Sequence, residues 1–204
     1  MSHRNYPASI VLLASCLGCH ASFGAIRNTS IFTTTPIDTF NQYQIDGSFQ
    51  SLAVLGGGAT ITNRTTDGAI KIEWSSSLGG DLVRPLSGMM MGQLGIADWQ
   101  FTQPIRRFGA YFANNSGKND GTAYFYDAAD NLIGTITVNS KAKTGHWFWN
   151  GWESDTPFTR MRVVGNGLIN GFLWYEDVRV SEVPAASTLP LLLLGLVGSQ
   201  RRRR

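Results

Sequence analysis

The sequence predicts an all-β protein: an antiparallel β-sandwich over residues 26–182, flanked by an N-terminal signal helix and a C-terminal transmembrane helix. Three observations predict it. Short runs of alternating apolar and polar residues recur along the central region, residues typical of turns separate these runs, and no long segment there has helical periodicity. Each end of the chain carries one apolar stretch instead, so we treat the ends and the centre as separate units.

The alternating runs are the predicted strands, and each places its apolar residues on one face. The clearest runs are residues 69–74, 107–112, 122–126, 132–138, 158–164 and 171–180. In the first two runs, the residues that share the inward face are Ile70, Ile72, Trp74, Phe108, Ala110 and Phe112. An Asp/Asn-rich turn at 127–131 connects the runs 122–126 and 132–138, which predicts a β-hairpin. The last run changes phase after Tyr175, and a bulge near Glu176-Asp177 would restore a single inward face.

Residues 1–25 have the three parts of a secretory signal peptide. Arg4 lies in a short polar start, residues 8–17 are apolar, and small residues follow between Ala21 and Ala25. We expect signal peptidase to cut within that last stretch, with Ala25 as the outer boundary.

Both cysteines of the chain, Cys16 and Cys19, lie in the signal segment. Residues 13–16 match the lipobox of bacterial lipoproteins, so the alternative to cleavage is a lipoprotein acylated at Cys16. Cleavage would leave a mature domain without disulfides. The terminal segments also hold five of the 17 Lys and Arg but none of the 14 Asp and Glu. The net charge of the central domain is therefore near −2, although that of the whole chain is +3. The net positive charge of the whole chain therefore comes from the terminal targeting segments, and we expect no nucleic-acid partner.

The C-terminal segment, residues 183–204, combines three features in a fixed order. A Pro-marked motif at 183–187 precedes an apolar helix at 188–200 and a cluster of four arginines, Arg201, Arg202, Arg203 and Arg204. Arginine stays on the cytoplasmic side of a membrane, so the domain should lie on the other side. The sixteen residues from Ala185 to Gln200 give about 24 Å of helix, less than the roughly 30 Å of a bilayer core, which suits a transient anchor.

This tail resembles the PEP-CTERM sorting signal of Gram-negative envelope proteins. The matching motif residues are Val183, Pro184, Ala185 and Ala186, where that family usually has Val-Pro-Glu-Pro. The resemblance implies recognition by an exosortase-like transpeptidase in the inner membrane, cleavage near the motif, and release to the cell surface or the extracellular space.

The region 99–180 resembles the jelly-roll, galactose-binding-like domains often found upstream of such tails. The resemblance rests on the order and residue types of four segments, 101–112, 124–133, 151–158 and 171–178. It implies a jelly roll related to carbohydrate-binding sandwiches. It implies no particular sugar, because a fold does not fix a function.

An aromatic cluster at 146–152 is the candidate site for a glycan. Indole faces stack on the apolar faces of sugar rings, and the candidate residues are Trp147, Trp149 and Trp152. Alternation puts Trp147 and Trp149 on one face. We expect that face to be buried core, because a small domain without disulfides needs large apolar side chains to offset chain entropy. The alternative is an exposed platform for sugar.

Three acidic residues, Glu176, Asp177 and Asp38, are candidates for a structural Ca²⁺ site, the one cofactor the sequence raises. Calcium takes six to eight oxygen ligands, and the sequence supplies few of them. Solvated acids at a bulge are the preferred interpretation.

No catalytic motif is present in the sequence of the predicted mature domain, which retains one histidine, His146, and no cysteine. We therefore expect a non-enzymatic protein. Two function classes remain: a structural, exopolysaccharide-associated protein of the envelope or extracellular matrix, and a carbohydrate-binding module with a defined ligand. Exposed, coplanar indole rings would favour the second, and buried rings the first.

Overall fold

The structure, a computed structural model, describes residues 25–34, 37–43, 46–74, 88–114, 121–140, 146–165 and 172–182. Within these ranges the chain forms β-strands and two short 3₁₀ turns, and no α-helix. The strands are β1 (Ile26–Asn28), β2 (Ile37–Asp38), β3 (Gly47–Phe49), β4 (Ser51–Val54), β5 (Ala59–Asn63), β6 (Ile70–Trp74), β7 (Met89–Gln93), β8 (Ile96–Asn114), β9 (Gly121–Tyr126), β10 (Leu132–Val138), β11 (Phe148–Val164) and β12 (Leu173–Glu182). The all-β prediction is confirmed.

The signal segment before Ala25 and the tail at 183–204, with its sorting motif and arginine cluster, lie outside the described residues. In the part of the chain that the structure describes, no helix is long and apolar enough to cross a membrane.

All strand pairs are antiparallel, and they join into one hydrogen-bonded sheet. β8 and β11, of 19 and 17 residues, pair along most of their length. Near β8 residues 96–101 this pair is flanked by β5 and β9, whereas near residues 105–114 it is flanked by β12 and β1. The register shifts between these halves, at Glu153, Phe158 and Arg160 of β11, as a bulge or bend requires.

The change of neighbours divides the sheet into two layers that share the long strands. The first layer is β4-β5-β8-β11-β9-β10, and the second is β1-β11-β8-β12-β7-β6-β3, with β2 on β12. Aromatic rings join them: Trp99 of the first layer contacts Tyr175 of the second at 5.6 Å between ring centroids, and Phe125 contacts Trp152 at 5.7 Å. The result is a sandwich-like arrangement around one main core.

The alternation in the sequence identified the inward faces of the runs 69–74 and 107–112 correctly, apart from one residue. Ile70, Ile72, Phe108, Ala110 and Phe112 are all fully buried. Trp74 is the exception, because it is the last residue of β6 and is 45% exposed.

Two local predictions are also confirmed. The hairpin of β9 and β10 turns through 127–131, where the Asp127 carboxylate accepts hydrogen bonds from the backbone N–H groups of Ala129 and Asn131, each at 2.9 Å. In β12 the register shifts between Glu176 and Arg179, and Asp177 has a φ of 52°. This bulge lets Tyr175 and Val178 both enter the main core.

Candidate functional site

The three candidate stacking residues do not form one surface. Trp152 lies on the inner face of β11 and is fully buried in the main core. Its ring stacks on Phe108 at 5.7 Å with an interplanar angle of 13°, and it also contacts Phe112 and Phe125. Trp152 is therefore a core residue and is inaccessible to a ligand.

Trp149 lies on the opposite, outer face of the second layer and is half-buried. Its indole rests on the sheet over two glycines, and a Cβ at Gly109 would lie only 2.4 Å from the ring. The edge-on neighbours are Phe32 at 5.9 Å and Tyr111 at 5.4 Å, and Nε1 donates to the carbonyl oxygen of Thr29 at 3.1 Å. Thr29 and Phe32 thus contact the indole and limit its open surface.

Trp147 belongs to a second apolar cluster, separate from the main core. It is 9% exposed and packs with Met90, Ala113 and Trp174. Trp147 is buried as expected, whereas Trp149 on the same face is only half-buried, and this face belongs to the second cluster, away from the main core. Neighbouring side chains, and not the other layer, cover this face. Alternation shows which residues share a face, but it does not show which face the other layer will cover.

The candidate calcium ligands do not converge as a ligand set. Asp38 is 3% exposed, and both of its carboxylate oxygens already accept hydrogen bonds: Oδ1 from the Phe40 backbone N–H and the Gln42 amide, and Oδ2 from the Leu55 backbone N–H at 2.5 Å. Asp177 sits at the bulge within 3.5 Å of Arg179, and Glu176 is buried. Among the described residues, no group of three or more His, Cys, Asp or Glu is arranged to hold a metal.

A network around Asp98 was missed by sequence reasoning. The Asp98 carboxylate, 4% exposed, accepts two hydrogen bonds from Arg162, at 2.7 and 2.9 Å, and one from Arg64 at 2.9 Å. Arg160 approaches within 3.8 Å, and its guanidinium lies 3.5 Å above the Tyr126 ring. The one signal in the sequence was the spacing of Arg160 and Arg162, which puts two cations on one strand face.

Electrostatics keep Asp98 ionised. Burial alone would raise the pKa of its carboxyl, but the hydrogen bonds and positive charges of Arg162, Arg64 and Arg160 outweigh burial and hold that pKa below its ordinary value.

This pKa predicts a contribution to acid sensitivity. A carboxyl whose pKa is lower in the folded state stabilises the fold above its unfolded pKa of about 3.9, and the contribution is lost as the pH falls through the folded-state value. Asp98→Asn should cost about 1–3 kcal/mol at pH 7 and progressively less below about pH 4. Urea denaturation of both proteins from pH 7 to pH 3 measures this difference. A difference that stays constant over that range would contradict it.

Comparisons with known proteins assign no family. No family model matches the chain, and no curated protein matches it. Among solved structures, part of the chain is similar to the enzymatically active domain of tailspike protein 4 from bacteriophage CBA120, with 16% identity and a TM-score of 0.38. That match covers 62% of this chain, which spans 19% of the phage chain. The likeness is too weak to transfer a fold family or an activity.

Proposed function

We propose that this chain is an exported protein of a Gram-negative cell envelope or extracellular matrix, with a non-enzymatic, structural or exopolysaccharide-associated role. The proposal combines the two terminal signals in the sequence with one observation on the domain. The indoles of Trp147 and Trp152 are buried, and that of Trp149 is half-buried and contacts Thr29 and Phe32, so the three tryptophans form no open, coplanar platform. This favours a structural role over sugar stacking at the aromatic cluster.

Processing and export would involve three partners: signal peptidase, the inner membrane and an exosortase-like transpeptidase. Signal peptidase removes residues up to Ala25, the apolar helix at 188–200 holds the chain in the inner membrane with its C-terminus in the cytoplasm, and an exosortase-like transpeptidase cuts near Val183-Pro184-Ala185-Ala186. The domain, a jelly roll in this proposal, then reaches the cell surface or the medium.

The terminal processing predicts defined chain ends. Mass spectrometry of the protein recovered from the surface and medium of a Gram-negative host with this sorting system should show an N-terminus between residues 22 and 26 and a C-terminus near 183–187. Replacing Arg201 to Arg204 by serine should leave the tail attached and the protein in the membrane fraction. Intact chain through Arg204 at the cell surface would count against the proposal. An acylated N-terminus at Cys16 would establish the lipoprotein alternative instead.

A carbohydrate-binding module with a defined ligand is the second candidate, and one observation favours it. Trp149 borders a cleft of about 330 Å³ beside Asn28, Thr137 and Asn139, whose side chains are exposed. Amides and hydroxyls of this kind can orient a neutral sugar. A glycan array probed with residues 26–182, with and without Ca²⁺, decides between the candidates. Selective binding of one glycan that Asn139→Ala abolishes would promote the second.

A further inference from the structure

The outer face of the first layer carries a continuous row of polar side chains. Strand register places one residue from each of six neighbouring strands side by side, in the order Thr135, Tyr124, Arg162, Asp98, Thr62 and Ser51. At about 4.8 Å between strands, the row is about 24 Å long. Arg64 joins it beside Asp98. We call this row, with Arg64, the arginine face.

The arginine side chains of the arginine face are exposed to solvent, whereas its carboxylate is buried. The side chain of Arg64 is 53% exposed and that of Arg162 is 37% exposed, whereas that of Asp98 is 4% exposed. Two accessible guanidiniums therefore share one buried negative charge. Arg160, the third cation near Asp98, has its own partner in Asp130 at 2.5 Å. The face as a whole presents excess positive charge to the solvent.

These guanidiniums also keep donors to offer. Arg64 uses only Nε in its bond to Asp98, and Arg162 uses Nε and one terminal nitrogen. Within the described ranges, the remaining terminal nitrogens of Arg64 and Arg162 make no further hydrogen bond. Asp98 fixes both side chains in place, so a ligand would pay little entropy to order them.

The chemistry of the row defines the ligand. A guanidinium fork matches the geometry of a carboxylate or sulfate, and such charge-assisted bonds are the strong ones. The hydroxyls of Thr135, Tyr124 and Thr62 suit the hydroxyl groups of a sugar. An open row of about 24 Å accommodates several units of an extended polymer. A nucleic acid fits less well, because its affinity comes from many Lys or Arg contacts to phosphate and this row exposes two.

We propose that the arginine face binds an acidic polysaccharide, with a carboxylate of one sugar unit held by Arg64 and Arg162 and its neighbours' hydroxyls bonded by Tyr124, Thr62 and Thr135. This inference rests on the proposed function and gives its exopolysaccharide association a defined surface, distinct from the tryptophan cluster on the second layer.

The test compares two matched arginine variants of the mature protein. Arg64→Gln removes one exposed cation from the face and leaves the Arg162–Asp98 pair. Arg107→Gln removes one cation that is 42% exposed and paired with Glu153, in the part of β8 that belongs to the second layer. Affinity for polygalacturonate, for neutral dextran and for double-stranded DNA is measured by calorimetry in 0.15 M NaCl, and thermal melts check that each variant is folded.

We expect the wild-type protein to bind polygalacturonate and not dextran, with Arg64→Gln weakening binding about tenfold or more and Arg107→Gln changing it less than about twofold. Arg64→Lys should retain an intermediate affinity, since it keeps the charge and loses the fork. Equal losses in the two glutamine variants would reduce the effect to net charge and overturn the site. Binding of DNA as tight as that of polygalacturonate, or no binding of polygalacturonate, would overturn the ligand. None of these results affects the chain-end test of export.

Discussion

Replacing Trp152 by Ala should lower the free energy of unfolding by about 3–5 kcal/mol. The side chain is fully buried where the two layers meet, and its ring contacts Phe108, Phe112 and Phe125. The truncation removes this apolar area from the core and leaves a cavity that neighbours from two layers cannot easily fill. A domain of this kind has a net stability of roughly 5–15 kcal/mol, so the variant should be marginally folded. Urea denaturation measures the change.

Trp74→Ala is the matched control, because Trp74 is 45% exposed at the end of β6. It should cost less than about 1 kcal/mol. If the two variants were equally stable, the position of Trp152 between the layers would be wrong. Trp149→Ala should fall between them, since its ring is half-buried on the outer face.

Replacing Asp38 by Ala should cost about 2–4 kcal/mol, the second largest effect we expect. The carboxylate accepts hydrogen bonds from the backbone N–H groups of Phe40 and Leu55, and leaving a buried donor unsatisfied costs about 1–3 kcal/mol. Both residues have positive φ angles, 59° and 54°, which non-glycine residues adopt at an energetic cost. Asp38 therefore stabilises two strained turns, and both turns should lose these hydrogen bonds when Asp38 is replaced by alanine.

Thermal and urea denaturation of Asp38→Ala, with Asp38→Asn as the conservative control, measure this effect. The asparagine keeps one carbonyl acceptor and should lose less than the alanine variant. Repeating both measurements with Ca²⁺ separates the structural role from the calcium hypothesis. Stabilisation of the wild-type protein by Ca²⁺ that disappears in both variants would identify Asp38 as a metal ligand and contradict the purely structural account.

Local patterns were enough to predict much of the fold. Alternation identified the inward faces of β6 and β8, the Asp/Asn-rich stretch identified the hairpin tip at 127–131, and the phase change after Tyr175 identified the bulge. Each of these is a property of a few consecutive residues: side chains alternate along a strand, and a turn or bulge is made by the residues within it.

The long strands show where local patterns fail. The run at 107–112 was recognised, yet it is only part of β8, which continues from Ile96 to Asn114 and serves both layers. The run at 158–164 is likewise the second half of β11. The bend between the halves interrupts the alternation, so the sequence pattern identified only one half of each long strand. Only the pairing with β5, β9, β12 and β1 shows that the same two strands belong to both layers.

The sequence by itself determined that this is an all-β chain, and it determined the faces of single strands. The terminal signals remain predictions from sequence alone. The tertiary structure decided which face of the aromatic cluster at 146–152 became main core, placing Trp152 inside and Trp147 and Trp149 outside the second layer. It also brought Arg64 and Arg162 to Asp98 across 34 and 64 residues of chain. The physical reason is that a side chain's direction is set by its own backbone, whereas its burial and its charge partners are set by strands that reach it from distant parts of the sequence.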